Sequence, residues 1–120
     1  MRHELKCWPE YFHAIRSGRK KFELRKDDRG FAIGDLLVLR EFIPCVACAG
    51  THRVWDNGDM TDCGCPPPHG RYTDREPIER YIGYIYIGYL CGVGVAALSL
   101  LTHDELRRAY PEWTDHEKED

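Results

Sequence analysis

Residues 44–74 constrain this chain more than any other stretch. Glycine, proline, cysteine and histidine dominate there, and long apolar runs vanish. A loop of that length without regular structure needs something else to hold it. The cysteines offer it: Cys45-x-x-Cys48, fourteen residues, then Cys63-x-Cys65, with His69 close behind. Zinc takes four soft or borderline ligands in a tetrahedron. A C-x-x-C turn presents two thiolates from one tight knuckle, and Gly50 leaves the backbone room to bring amides near the sulfurs. The second pair closes the loop, so metal binding can supply the folding energy the segment lacks. One intervening residue strains two ligands onto one ion. A second ligand set therefore uses Cys45, Cys48, one of Cys63 and Cys65, and His69. The rival arrangement is two local disulfides or free thiols. The start, Met-Arg-His-Glu-Leu-Lys, has no apolar signal core. The expectation is thus a cytoplasmic, reducing setting, where metal prevails over disulfide.

The rest of the chain reads as one domain, residues 1–120, with residues 44–74 as an insert. Residues 3–8 alternate as a strand, with Leu5 and Cys7 on one face and Glu4, Lys6 and Trp8 on the other. Pro9 suits the first position of a helix over residues 9–17, on which Phe12 and Ile15 share a face with Trp8. Gly18 stops that helix. Residues 20–26 alternate again, with Phe22 and Leu24 as core residues and Lys21, Glu23 and Arg25 opposite. Residues 27–30 read as a polar turn. Gly34-Asp35 is another turn, before a strand from Leu36 to Leu39 buried on both faces. The β-branched and aromatic run from Ile78 to Tyr89 is a strand, and residues 95–101 return beside it. Thr102 with Glu105 forms a capping box for a short last helix, and residues 115–120 fray. Cys7 and Cys91 read as core packing. The histidines at 3, 13, 52, 103 and 116 show no ligand spacing.

Net charge is -3, which excludes a uniformly basic nucleic-acid coat but not a local patch. No apolar run approaches the roughly 20 residues of a membrane span. The local patch exists: residues 18–26 carry five basic residues and one acid. Two readings compete there. One is a solvated strand face with weak ion pairs. The other is a cleft whose cations meet phosphate or a base edge, with Trp8 available for stacking.

His3-Glu4-Leu5-Lys6-Cys7-Trp8-Pro9-Glu10-Tyr11-Phe12, Ile15, Ser17-Gly18, Phe22-Glu23-Leu24-Arg25-Lys26, Asp28-Arg29-Gly30-Phe31, Gly34-Asp35 and Leu39-Arg40-Glu41 resemble the DUF3850 family of small bacterial and phage proteins. That family falls in the ASCH group. The likeness is dense over residues 3–42 and looser over 78–101. It implies an α+β fold: a curved, mostly antiparallel PUA-like β-barrel with one main helix. It also implies an RNA- or nucleotide-binding cleft, here lined by Lys6, Trp8, Lys20, Lys21, Glu23 and Arg25. One ASCH branch hydrolyses acetylcytidine, and its catalytic lysine corresponds to Lys20. Its catalytic threonine corresponds to Glu23, a departure from that branch. An amidohydrolase with Lys20 and Glu23 as the reacting pair is therefore the alternative. Alternation argues against that pair, because it points Lys20 along with Phe22, away from Glu23. A third reading is a protein-interaction module using His52, Arg53 and Trp55 on the zinc insert.

Overall fold

Alternating apolar residues build most of this molecule, and the sheet they form carries a helix packed on each face. The computed structural model describes residues 1–27, 29–49, 53–56, 58–66, 69–90 and 93–113, without the side chains of 55, 56, 90 and 93. The expectations for Asp28, Gly50, His52, Cys91, His116, the Trp55 side chain and residues 115–120 lie outside the described residues.

Strand β1 (Arg2–Cys7) leads into helix α1 (Pro9–Arg16), and β2 (Phe22–Lys26) and β3 (Leu36–Pro44) follow. Next come a hairpin of β4 (Arg53–Asp56) and β5 (Asp59–Asp62), then β6 (Gly70–Tyr72). The long pair β7 (Ile78–Leu90) and β8 (Val93–Leu101) precedes helix α2 (His103–Ala109). The main sheet runs β1-β3-β7-β8-β2, with β6 added to β3. The β1–β3 pairing is parallel and its other pairings are antiparallel.

The period-2 pattern explains the core. Leu5 and Cys7 of β1 meet Phe12 and Ile15 of α1, Leu37 and Leu39 of β3, and Leu98 and Leu100 of β8. The opposite face of β3 is also covered: Leu36 and Val38 join Tyr81 and Leu106 beneath α2. Both faces of β3 are therefore buried, as its unbroken apolar run predicts. The capping box forms, with Thr102 Oγ1 accepting from Glu105 N and Glu105 Oε1 accepting from Thr102 N. Residues 95–101 are strand, as expected.

Three expectations need correction. First, the barrel does not close among the described residues. Edges β1 and β2 share no ladder; side chains span the seam instead. Arg25 Nη2 donates to Lys6 O, and Arg29 Nη1 donates to Glu4 O at 3.1 Å. The arginines thus take β1 carbonyls that a neighbouring strand would otherwise take. Second, β2 is inside out relative to the reading above. Phe22 and Leu24 are 50% and 54% exposed, whereas Glu23 is 7% exposed. Alternation identifies two faces, but only the seam shows which one turns inward. Third, Trp8 does not share the buried face of Phe12 and Ile15. It is the N-cap residue, extended at φ -64 and ψ 150, and stays 41% exposed.

The cysteine-rich stretch contains regular structure that its composition hides. Strands β4 and β5 pair over four positions, from Arg53↔Asp62 to Asp56↔Asp59. The connecting sequence is Asn57-Gly58, a strong hairpin signal. β6 then rejoins the main sheet, with Tyr72 opposite Phe42.

Candidate ligand cleft and metal centre

The seam between β1 and β2 holds a cleft of about 300 Å³ lined by Lys6, Cys7, Trp8, Tyr11, Glu23 and Arg25. Each wall follows from local structure. The end of β1 supplies Lys6 and Cys7. Pro9 starts the helix one residue on, which leaves Trp8 extended at the mouth and sets Tyr11 on the first turn. Gly18, at φ 84, ends the helix, and Lys20 N donates to Ala14 O at 3.0 Å. Lys20 is thereby held outside the β2 alternation. Its Nζ reaches to 3.7 Å from Glu23 Oε1 and 4.7 Å from the Tyr11 ring centroid. The expected separation of Lys20 from Glu23 is thus not found, because the strand begins only at Phe22.

Glu23 is the unusual group. Its Oε1 lies between Lys20 Nζ and Arg25 Nε, which is 3.8 Å away. Both approaches exceed hydrogen-bond length. Glu23 Oε2 and Arg25 Nε are buried and lack a hydrogen-bond partner in the described structure. A buried acceptor or donor left without a partner costs about 1–3 kcal/mol. Each such group calls for a partner, whether an ordered water, an ion or a ligand.

Cys7 lies at the cleft wall. Burial, followed by the charge of Glu23, pushes its thiol up to about 11. The charge of Glu10, then a hydrogen bond to it, raises Tyr11 above its ordinary value. Cys7 and Tyr11 were not expected in the cleft. Inward alternation at Cys7 and the three-residue step from Trp8 to Tyr11 were the signals. Lys20 and Lys21, both expected there, are absent from the cleft lining: they precede β2, which begins at Phe22, and Lys20 meets the cleft through Glu23 and Tyr11. Hydrogen bonds to Thr102, and after them the charge of Lys21, lower Glu105 on α2.

The second cluster is the cysteine set. The Sγ atoms of Cys45, Cys48, Cys63 and Cys65 all lie within 4.8 Å of one another. Cys45 to Cys63 is 3.6 Å and Cys48 to Cys65 is 3.7 Å. A tetrahedron with metal–sulfur bonds of 2.3 Å has edges of about 3.8 Å. Two opposite edges therefore already fit, and the widest pair needs to close by about 1 Å at most. All four thiols are free of disulfide bonds. Amides of Cys48 and Ala47 donate to the Cys45 sulfur and lower its thiol to about 7, a ready first thiolate. Desolvation, then its cysteine neighbours, pushes Cys65 up to about 12, and desolvation raises Cys63. A bound cation would overcome this by taking all four as thiolates, with release of their protons. His69 falls outside the four-sulfur group; its Nδ1 lies 3.0 Å from Cys65 Sγ. The cluster could hold a metal ion with cysteines alone, and His69 then braces one of them.

Two buried acids stabilise the frame around these sites. Glu41, on β3 opposite Cys7, contacts Thr73 Oγ1 at 2.8 Å, Arg75 Nε at 3.0 Å and His13 Nε2 at 3.1 Å. It joins α1 to the strap that returns from the cysteine cluster. Asp35 binds the Met1 amino group, His3 Nε2 and the Ala32 amide. His3 is thus a buried, satisfied histidine.

No helix among the described residues is long and apolar enough to cross a membrane. An uncharacterised 12.9 kDa protein in the GpA 3' region of Escherichia phage P2 is 36% identical over 62 residues. The alignment spans 50% of this chain but only 57% of that protein. A family model described as a domain of unknown function, DUF3850, matches residues 2–93. That span includes the whole cleft and the cysteine cluster, and the chain belongs to the DUF3850 family.

Proposed function

We propose that this chain is a single PUA-like binding domain of the ASCH type, with residues 44–74 as an insert. In this reading the seam cleft takes RNA or a nucleotide, and a structural zinc ion holds the insert. The reading places the protein in the cytoplasm. The observation that supports it is the pair of buried, unpartnered groups in the cleft, Glu23 Oε2 and Arg25 Nε, on side chains that approach to 3.8 Å through Oε1. A base edge presents a donor and an acceptor side by side and satisfies both. Trp8 and Tyr11 supply exposed aromatic surface at the mouth, and Lys6 and Lys20 supply charge for phosphate. The acidic net charge fits a small ligand or short single strand better than long duplex.

Fluorescence anisotropy with a labelled short RNA tests this. Arg25→Ala removes a charged hydrogen bond worth about 1.5–3 kcal/mol, so affinity falls roughly 10- to 150-fold. Lys20→Ala weakens binding and flattens its salt dependence. Unchanged affinity in both variants opposes the reading.

The Lys20–Glu23 approach of 3.7 Å favours a second reading, a hydrolase of a modified nucleoside such as acetylcytidine. Glu23 would take a proton from water as it attacks the acyl carbon. Lys20 would protonate the departing nitrogen as the C–N bond breaks. Turnover of acetylcytidine abolished by Lys20→Ala supports it; no turnover across a panel of such amides leaves the binding reading alone.

A further inference from the structure

The rim of the cleft continues past Tyr11. Lys20 Nζ lies 4.7 Å from the Tyr11 ring centroid and 5.3 Å from the Phe22 ring centroid. One ammonium thus bridges a cleft wall and the first residue of β2. Phe22 and Leu24 point to the face opposite Glu23 and Arg25, and half of each side chain is in water. The strand registers carry that face onward. Leu24 is opposite Ala97 on β8, and Ala97 is opposite Tyr86 on β7. Tyr86 is 68% exposed, and Tyr84 is 66% exposed two positions earlier. A Cβ at Gly88 would come within 3.1 Å of the Tyr86 ring, so the glycine lets that ring lie along the sheet. Lys21 and Lys26 are exposed at the two ends of β2.

We propose that this outward face of β2, β8 and β7 is a stacking platform for single-stranded nucleic acid, continuous with the cleft across Lys20. A strand would place one nucleotide in the cleft and stack its neighbours on Phe22 and Tyr86. The inference rests on the cleft reading and adds that the ligand is a strand rather than a mononucleotide.

Three features favour that occupant. The exposed groups are mostly flat aromatics, on which any base stacks regardless of sequence. Two strand spacings, about 10 Å, separate β2 from β7, so Phe22 and Tyr86 lie apart as a strip and not a single spot. Finally, the charge along β2 is mostly positive, with Arg25 on the cleft face and Glu105 of α2 near Lys21. Residues 19–26 hold five basic residues and one acid, and that acid, Glu23, is buried on the other face. A second copy docked face to face would set these lysines against their own counterparts. A polyanion uses them, and it bridges to the cleft without leaving cationic ground.

The test compares probes of different length on the full chain. Fluorescein-labelled U12 and A12 RNAs are titrated by anisotropy, with UMP and AMP as competitors. The platform predicts that the 12-mers bind at least about tenfold more tightly than the mononucleotides. Phe22→Ala and Tyr86→Ala each weaken 12-mer binding by roughly 5- to 150-fold, the equivalent of about 1–3 kcal/mol per stacked base. Neither variant changes mononucleotide binding, and Tyr86→Phe restores the 12-mer. Both positions are surface-exposed, so circular dichroism should show the variants folded. Equal binding of 12-mer and mononucleotide, unaffected by Tyr86→Ala, overturns the platform and leaves the cleft reading intact. Binding of neither probe overturns both. A dimer in sedimentation that Tyr86→Ala dissociates, with no 12-mer binding, assigns the face to a second copy and also overturns the platform.

Discussion

With the proposed zinc ion on the four sulfurs, stripping it should melt one part of the molecule and spare the rest. The main apolar cluster draws on β1, α1, β3, β7 and β8 and uses nothing between Cys45 and His69. The β4–β5 hairpin pairs only with itself, and every described side chain of β5 is exposed. An isolated two-stranded hairpin is marginal in water. The excursion therefore depends on the four sulfurs, while the sheet depends on its own core. The size of the effect follows from linkage. Free zinc at 100 times its dissociation constant stabilises the bound form by about 2.7 kcal/mol, roughly a 100-fold change in amide protection. Hydrogen-exchange mass spectrometry with and without a chelator reads this directly. Protection of residues 45–66 should fall about 100-fold on stripping, while residues 36–40 and 95–101 keep theirs. Equal loss of protection in the sheet would refute the separation. So would an excursion that stays protected after the metal is gone.

Other outcomes follow from single residues. Burial pushes the Asp35 carboxyl up, but the Met1 amino group, His3 and the Ala32 amide outweigh it and hold the group below its ordinary 3.8. Its contribution is thus present above 3.8 and lost as pH falls from there through the lower folded value. Asp35→Asn should cost about 2–4 kcal/mol at pH 7 in urea denaturation, and the gap to wild type should shrink in acid. A gap that is constant with pH would contradict this. Cys7, with its thiol near 11, is about one part in a thousand thiolate at pH 8. Iodoacetamide should leave it unlabelled under conditions that label an ordinary free thiol, and rapid labelling in the folded protein would count against its burial. At Gly70 an added Cβ would meet Ile43 O at 2.4 Å and the Phe42 ring at 2.6 Å. Gly70→Ala should therefore loosen β6 by about 1–3 kcal/mol and speed metal loss to a chelator. Wild-type loss rates would show that β6 does not secure the cluster.

Much of this frame is legible in the sequence because it is periodic. Leu5 and Cys7, Phe12 and Ile15, and the unbroken run from Leu36 to Leu39 each place themselves by spacing alone. The Thr102–Glu105 cap is readable because both partners lie within one turn. The cysteine cluster is readable because thiols have few other uses in such spacing. The cleft is different. Alternation separates Phe22 and Leu24 from Glu23 and Arg25, but both faces of an edge strand are plausible interiors. Local spacing also misleads at Lys20, which is held by Ala14 of the preceding helix and not by the strand. Asp35 with His3, and Glu41 with Thr73, join positions 32 apart in sequence, so only the fold brings them together. The Asn57-Gly58 hairpin could have been read, but it was masked by the cysteine-rich composition around it.

The central claim is that the seam between β1 and β2 is the binding site. The most direct measurement is a titration of isotope-labelled, zinc-loaded protein with unlabelled single-stranded RNA, followed by amide and side-chain NMR. The account predicts saturable shifts at Cys7, Tyr11 and Glu23, at the Trp8 indole and at Arg25 Nε. Shifts confined to residues 45–66, or none at millimolar RNA, would contradict it.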